Sequence, residues 1–239
     1  MEFDELALDE QLQIARRGTA YFAQRLARFS DADLGGNTLL PGWTRRHLLA
    51  HIGYNAAALC RLLDWAATGI ETPMYASAEQ RAREIDEGST LSPAALRNLF
   101  THTAARLDEK WRNLPPTAWA AEVRTAQGRV VPAAETTWMR TREVWIHAVD
   151  LASDGRFGDF PSPVLGSLLT DIVGMWRKKG LGIGLVLAVE AATPIAVHED
   201  STHTARVAGP LAAVARWAAG RGGAGVRIEG HLDGPPGWL

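Results

Sequence analysis

Two side chains that can bind a metal ion lie four residues apart in the run WMRTREVWIHAVD, residues 138–150. On a helix, this spacing puts Glu143 and His147 on one face, one turn apart. A carboxylate oxygen and an imidazole nitrogen offered together are half of a zinc site, because zinc takes both kinds of ligand. The same pair is also common on solvated helix faces, so by itself it is weak evidence for a metal.

The neighbours of the pair favour burial. Apolar residues surround the helix on nearly all sides: Trp138, Val144, Trp145, Ile146, Val149 and Leu151. A buried carboxylate needs a partner, and a metal ion is one such partner. Asp150 follows His147 by three residues and could orient that ligand, although a solvated or capping side chain is the more common role for such an aspartate.

A third ligand is expected from the upstream run TRRHLLAHIGYNAA, which carries His47 and His51. His51 has apolar neighbours in a buried pattern, whereas two arginines precede His47 and indicate a wetter position. A single core histidine is more often a hydrogen-bonded filler than a ligand, and His47 offers a rival His-x3-His pair. We nevertheless predict the metal ligands His51, Glu143 and His147, on two helices that face each other across one ion.

The single cysteine, Cys60, excludes an intrachain disulfide and fits a reducing cytosol. It follows His51 by nine residues, which turns it about half a helical circuit away. We therefore expect Cys60 to point away from the metal and to act as a small core residue.

Two arginines complete the candidate site. Arg81 lies on a short polar helix, and Arg221 lies in Ala-Gly-Arg-Gly-Gly just past a helix end. Taken alone, each arginine is expected to be an ordinary surface charge. Guanidinium groups bind carboxylates through two parallel hydrogen bonds, so an arginine beside an open metal site would suit a dicarboxylate substrate.

The elements that must position these residues are helices in the first part of the chain. Hydrophobic periodicity and capping signals predict a short helix over residues 78–87, a hairpin over 122–131 that turns at Gln127-Gly128, and four long helices. The long helices are expected at about residues 5–29, 45–67, 93–114 and 134–152. Four such helices are enough for a bundle.

The pattern changes after residue 152, where short strands alternate with two helices. Helices are predicted at about 162–178 and 210–219, and strands near 184–190, 194–198, 204–208 and 226–229. We predict an α+β protein with two domains: a four-helix bundle over residues 1–155 and a small α+β domain over residues 160–239.

Composition excludes several classes of function. The chain has 239 residues and a formal charge of −2, so no overall field favours nucleic acid. No apolar run reaches transmembrane length, and the acidic start MEFDELALDE does not resemble a signal peptide. We therefore expect a cytoplasmic protein without a membrane or nucleic-acid partner.

The chain resembles the mycothiol-dependent maleylpyruvate isomerases, whose N-terminal domain belongs to the DinB/YfiT-like metal-binding bundles. The resemblance rests on segments of both domains: PGWTRRHLLAHIGYNAAALC, WAATGIETPMY, GSTLSPAALRNL, TAQGRVVPAAETTWMRTREVWIHAVDL and AAGRGGAGV. It implies a zinc ion on His51, Glu143 and His147. It also places Arg81 and Arg221 near the active site as catalytic residues, and it implies a sterol-carrier-like C-terminal domain.

The resemblance further implies zinc and mycothiol as cofactors and maleylpyruvate, a dicarboxylate of gentisate breakdown, as substrate. A thiolate can add to its cis double bond, which then rotates as a single bond before the thiol leaves. Zinc would either activate the thiol or polarise the substrate. Two alternatives are a mycothiol S-transferase and a noncatalytic protein that binds zinc or another ligand.

Overall fold

Seven α-helices and two β-sheets are formed by residues 2–238, which are the residues that the computed structural model describes. The chain divides into two units, residues 7–155 and residues 156–238 together with residues 2–6. The helices of the first unit are α1 Leu8–Leu26, α2 Arg45–Thr68, α3 Ala78–Ser89, α4 Pro93–Asn113 and α5 Glu135–Asp150. The predicted mixed α+β class is confirmed.

Helices α1, α2, α4 and α5 form the predicted four-helix bundle. Helix α1 packs on α5, α2 packs on both α4 and α5, and the Arg16–Asp108 ion pair at 2.6 Å joins α1 to α4. Two glycines allow the backbones to approach closely. A Cβ atom on Gly18 would lie 2.5 Å from Trp145 of α5, and one on Gly53 would lie 2.7 Å from Leu99 of α4. The short α3 packs on α2.

Local signals set the ends of the helices that carry the candidate site. Thr44 precedes α2 as its N-cap, and Gly69 ends α2 in the left-handed region at φ 74°. Ser77 starts α3 by accepting a hydrogen bond from the Gln80 N–H at 3.1 Å. The predicted hairpin precedes α5 and consists of β1 Glu122–Arg124 and β2 Val130–Pro132. Gly128 lies in its turn, in the left-handed region at φ 81°.

The second unit consists of one sheet and two helices, of which the second helix packs on the sheet and the first packs on the second helix. Its elements are α6 Ser162–Lys179, β3 Leu185–Val189, β4 Ile195–Ala196, β5 Ala205–Gly209, α7 Leu211–Ala218 and β6 Arg227–Gly230. The sheet order is β4-β3-β5-β6, with β3 and β5 parallel and the other neighbours antiparallel. The indole rings of Trp176 and Trp217 meet edge-on at 6.3 Å between α6 and α7.

The N-terminal residues belong to this second unit. Phe3 is buried, and its N–H donates to Ser167 Oγ at 2.8 Å on α6. Thr170, one turn further along α6, donates to the Glu2 carboxylate at 2.7 Å. The chain therefore starts on the second unit, runs through the whole bundle, and returns.

Candidate metal centre

The structure brings together the three predicted metal ligands. Helix α2 presents His51, and α5 presents Glu143 and His147 one turn apart. Oε2 of Glu143 lies 2.8 Å from Nε2 of His51 and 3.2 Å from Nε2 of His147. One candidate ligand atom from each of the three side chains lies within 4.8 Å of the other two. Both histidine rings are buried, while the Glu143 side chain keeps 20% of its surface exposed.

The charges of this trio depend on burial and on short hydrogen bonds. Burial works to raise the pKa of Glu143, but hydrogen bonds with His147 and His51 outweigh it and hold that pKa well below its ordinary value. Burial lowers the pKa of His51 by more than the hydrogen bond with Glu143 raises it. Burial also works to lower the pKa of His147, but hydrogen bonds with Asp150 and Glu143 raise it to about 9. In the absence of a metal ion, these shifts favour an ionised Glu143, a protonated His147 and a neutral His51 at neutral pH.

Asp150 contacts the His147 ring on the side away from Glu143. Its Oδ2 lies 2.8 Å from Nδ1 of His147, and its side chain has no exposed surface. The expectation that Asp150 is a solvated or capping side chain is therefore wrong. It occupies the position of a carboxylate that fixes the orientation and tautomer of a metal-binding histidine. The all-round apolar pattern of α5 was the sequence signal for its burial.

Arg140, one turn before Glu143, is a site residue that the sequence reasoning missed. It is 1% exposed, and its Nη1 donates to the Ile52 carbonyl at 2.8 Å and to Asn55 Oδ1 at 2.9 Å. Burial lowers the pKa of Arg140 to about 10, although the Glu143 charge opposes this. Arg140 thus stays charged at neutral pH and ties α5 to α2, the two helices that supply the ligands. An arginine three residues before Glu143, on the helix face that also carries Glu143 and His147, was the available signal.

The other predicted residues occupy three different environments. Arg81 Nη2 lies 3.4 Å from Nδ1 of His51 and so borders the trio. Arg221 lies in the second unit, in the turn after α7, where its N–H donates to the Arg216 carbonyl at 3.0 Å. Cys60 lies in the apolar core of the bundle, as expected.

His47 caps the start of α2. Its Nδ1 accepts the Thr44 N–H at 3.3 Å and lies 2.7 Å from the Thr44 hydroxyl, which is a reciprocal cap. His47 does not belong to the group of converging ligand atoms.

The arrangement fits a catalytic zinc ion better than a structural one. Two imidazoles and one carboxylate are the donors that zinc prefers, and three protein ligands leave a coordination position for a reactant. Histidines that bind a metal ion usually donate their other ring N–H to a carboxylate, and Asp150 is placed to accept from His147 in this way. Glu143 is the most exposed of the three side chains. As ligands, His51, Glu143 and His147 remain a prediction.

Comparisons with known proteins agree on one family. Residues 15–152 match the family described as the mycothiol maleylpyruvate isomerase N-terminal domain. A crystal structure of the mycothiol-dependent maleylpyruvate isomerase is similar to the chain at 50% identity and a TM-score of 0.95, covering 99% of both chains. A mutant of that isomerase with one histidine replaced by alanine is similar at 49% identity, a TM-score of 0.95 and the same coverage.

A more distant structure shows the fold alone. YfiT from Bacillus subtilis, described as a probable metal-dependent hydrolase with an unusual four-helix bundle topology, matches at 16% identity and a TM-score of 0.51. The match covers 61% of this chain and 83% of YfiT. No curated protein matches the chain. Among the described residues, no helix is long and apolar enough to cross a membrane.

With a matching domain of 138 residues and 50% identity over 99% of its length, the chain belongs to the mycothiol-dependent maleylpyruvate isomerase family.

Proposed function

We propose that this chain isomerises maleylpyruvate to fumarylpyruvate with mycothiol as the thiol and zinc as the metal, a reaction of gentisate breakdown. The observation that carries the proposal is the 50% identity to a mycothiol-dependent maleylpyruvate isomerase over 99% of both chains. The converging His51, Glu143 and His147 supply a reactive centre of the right composition inside the matched region.

The donor set of this centre suits zinc, with His51, Glu143 and His147 as its ligands. When bound, zinc favours the thiolate form of a thiol and polarises carbonyl oxygens, and either effect assists addition to a conjugated double bond. The protein supplies no cysteine for this step, because Cys60 is buried in the bundle core and burial raises the pKa of its thiol. The nucleophile must therefore be an external thiol.

Two residues around the trio hold it in position for this reaction. Asp150 holds His147 by its Nδ1 atom and leaves Nε2 directed at Glu143. Arg140 keeps α2 and α5 in register through Ile52 and Asn55, so the ligands stay opposite each other.

Arg81 has a more direct role in this proposal, as a partner for substrate carboxylates. Its guanidinium can only donate, so Nδ1 of His51 accepts and Nε2 carries the ring hydrogen towards Glu143. If Nε2 of His51 held a metal ion, the ring hydrogen would be on Nδ1 and Arg81 would lose that acceptor. Its guanidinium would then be available to a substrate carboxylate.

Turnover of maleylpyruvate by the purified protein, with and without mycothiol, tests the proposal. We expect conversion to fumarylpyruvate that needs mycothiol, stops when a chelator removes zinc, and leaves the mycothiol concentration unchanged. Consumption of one thiol per substrate would indicate an S-transferase instead. No turnover by zinc-loaded protein with mycothiol present would favour a noncatalytic binding protein.

A further inference from the structure

Tyr75 lies in the connector between α2 and α3, next to Arg81, which borders the candidate metal centre. Its ring packs on the apolar core of the bundle, and two guanidinium groups lie near it. The Cζ atom of Arg61 lies 5.7 Å from the ring centroid, and the Cζ atom of Arg81 lies 5.8 Å from it. Arg81 also reaches to 3.4 Å from His51, so one guanidinium spans from Tyr75 to a predicted ligand.

The segment that carries Tyr75 is held in place from α2. Arg61 Nε donates to the Met74 carbonyl at 2.9 Å, and Arg61 Nη2 donates to the same oxygen. The Met74 side chain is buried in the core, 5% exposed. The backbone next to Tyr75 is thus held in place from α2.

The Tyr75 hydroxyl has the properties of a hydrogen-bond donor. Burial raises the pKa of Tyr75, although the charge and hydrogen bond of Arg81 work to lower it. Arg81, which lies beside the ring and borders His51, is the residue that connects the phenol to the metal centre. The hydroxyl therefore keeps its proton at neutral pH and can donate it in a hydrogen bond. Arg81 adds a positive charge next to it.

The reaction proposed above needs such a donor at one stage. Addition of a thiolate forms a carbon–sulfur bond and moves the π electron pair onto the conjugated carbonyl oxygen. Loss of the thiolate breaks that bond and returns the pair, so no proton or electron is gained or lost overall. The oxygen carries a full negative charge only between these steps, and a fixed donor stabilises that stage more than it stabilises the bound substrate.

We propose that the Tyr75 hydroxyl and the Arg81 guanidinium together bind the substrate oxygen that becomes negatively charged, with Tyr75 as a catalytic hydrogen-bond donor. This inference rests on the proposed function. It goes further by adding a residue outside the predicted ligands and arginines, and by placing the carbonyl oxygen of the substrate next to Tyr75 and Arg81.

The test compares Tyr75→Phe with Tyr54→Phe in the full-length, zinc-loaded protein. Tyr54 is also half-buried, and burial raises its pKa too, but its neighbours are Glu84, Glu87 and Gly88 of α3. Both changes remove one hydroxyl and keep the ring. For Tyr75→Phe we expect kcat to fall by about 10²-fold, with zinc content and KM for mycothiol unchanged. Tyr54→Phe should keep the kinetics of the unchanged protein.

Calorimetric binding of maleate, a stable cis-dicarboxylate, gives a second readout that does not need turnover. We expect Tyr75→Phe to bind maleate about tenfold more weakly, because a hydrogen bond to a charged group is lost. Unchanged kcat and unchanged maleate affinity in Tyr75→Phe would overturn the assignment of Tyr75. Maleate binding that depends on Tyr75, in a protein that does not isomerise maleylpyruvate, would support the oxyanion site and overturn the proposed function.

Discussion

The Nδ1 atom of His147 lies 2.8 Å from Oδ2 of Asp150, a side chain with no exposed surface. This contact fixes the His147 ring from the side opposite the candidate metal position, because Nε2 of the same ring faces Glu143 at 3.2 Å. A ligand whose far nitrogen is held in this way keeps its tautomer and its direction in the absence of metal.

Asp150→Asn should lower zinc affinity by about 10- to 100-fold while the protein stays folded, since the amide keeps the shape but loses the charge. Competition against a zinc chelator measures the change. Asp154→Asn is the control, because Asp154 pairs with Arg25 at 2.8 Å and is 46% exposed. Wild-type zinc affinity in Asp150→Asn would mean that the contact with His147 does not support metal binding.

The ligand assignment predicts which histidine matters on α2. His51→Ala, Glu143→Ala and His147→Ala should each lose most of the bound zinc, because two ligands hold the ion far more weakly than three. His47→Ala should keep its zinc and lose only about 1 kcal/mol of stability, because His47 caps the helix start. Metal analysis of the four purified variants measures this. Zinc loss in the His47 variant together with retention in the His51 variant would reverse the assignment.

Zinc binding should depend on pH with a definite sign. The raised pKa of His147, about 9, means that the metal-free site holds a proton that zinc must displace. Zinc affinity should therefore increase from pH 6 to about pH 9, by at most about tenfold per pH unit for one proton, and then level off. Chelator competition across this range measures it, and affinity that is flat with pH would contradict the protonated His147.

The same pKa affects the stability of the zinc-free protein. A histidine whose folded pKa lies above its unfolded value of about 6.5 contributes stability below that value and loses it as pH rises through the folded pKa. Denaturation of the zinc-free protein should show this loss between about pH 6.5 and 9. His147→Gln should remove it.

Cys60→Ser should keep mycothiol-dependent turnover, because the thiol is buried in the bundle core with a raised pKa. A modest loss of stability is expected, since a hydroxyl replaces a sulfur in an apolar environment. Steady-state rates on zinc-loaded protein measure it. Abolished turnover in a folded variant would mean that the nucleophile comes from the protein itself.

The catalytic role of Arg221 is a prediction that two substitutions can test. Arg221→Lys keeps the charge but loses the planar guanidinium group that binds a carboxylate through two hydrogen bonds. Both Arg221→Lys and Arg221→Ala should therefore lower the rate by about 10- to 100-fold. Rates at saturating mycothiol, on variants with normal fold and zinc content, measure this. If Arg221 is only a solvated charge after α7, both variants will show near-normal kinetics.

The sequence predicted the helices well because their ends carry strong local signals. Thr44, Gly69 and Ser92-Pro93 mark the ends of α2 and the start of α4 through caps that act within a few residues. The convergence of the candidate ligands could also be predicted from local patterns. The phase of α5 puts Glu143 and His147 on one face, and the apolar surroundings of His51 distinguish it from His47.

What the sequence did not predict depends on contacts between distant segments. Tyr75 lies next to Arg81 in a connector that Arg61, fourteen residues earlier, holds by the Met74 carbonyl. Arg140 is tolerated inside the bundle because α2 offers it the Ile52 carbonyl and Asn55. Such pairings depend on which helices are neighbours, and the spacing along one helix contains no information about them.

The docking of Phe3 on α6 has a consequence for how the chain tolerates cleavage. Because residues 2–6 belong with residues 156–238, the bundle is an insertion that is anchored at both of its ends. A single cut after Gly155 severs one anchor and leaves the other docked. A protease nick at this point would therefore leave the segment that packs on α6 on the larger fragment, so the second unit would be divided between the two bands of a denaturing gel.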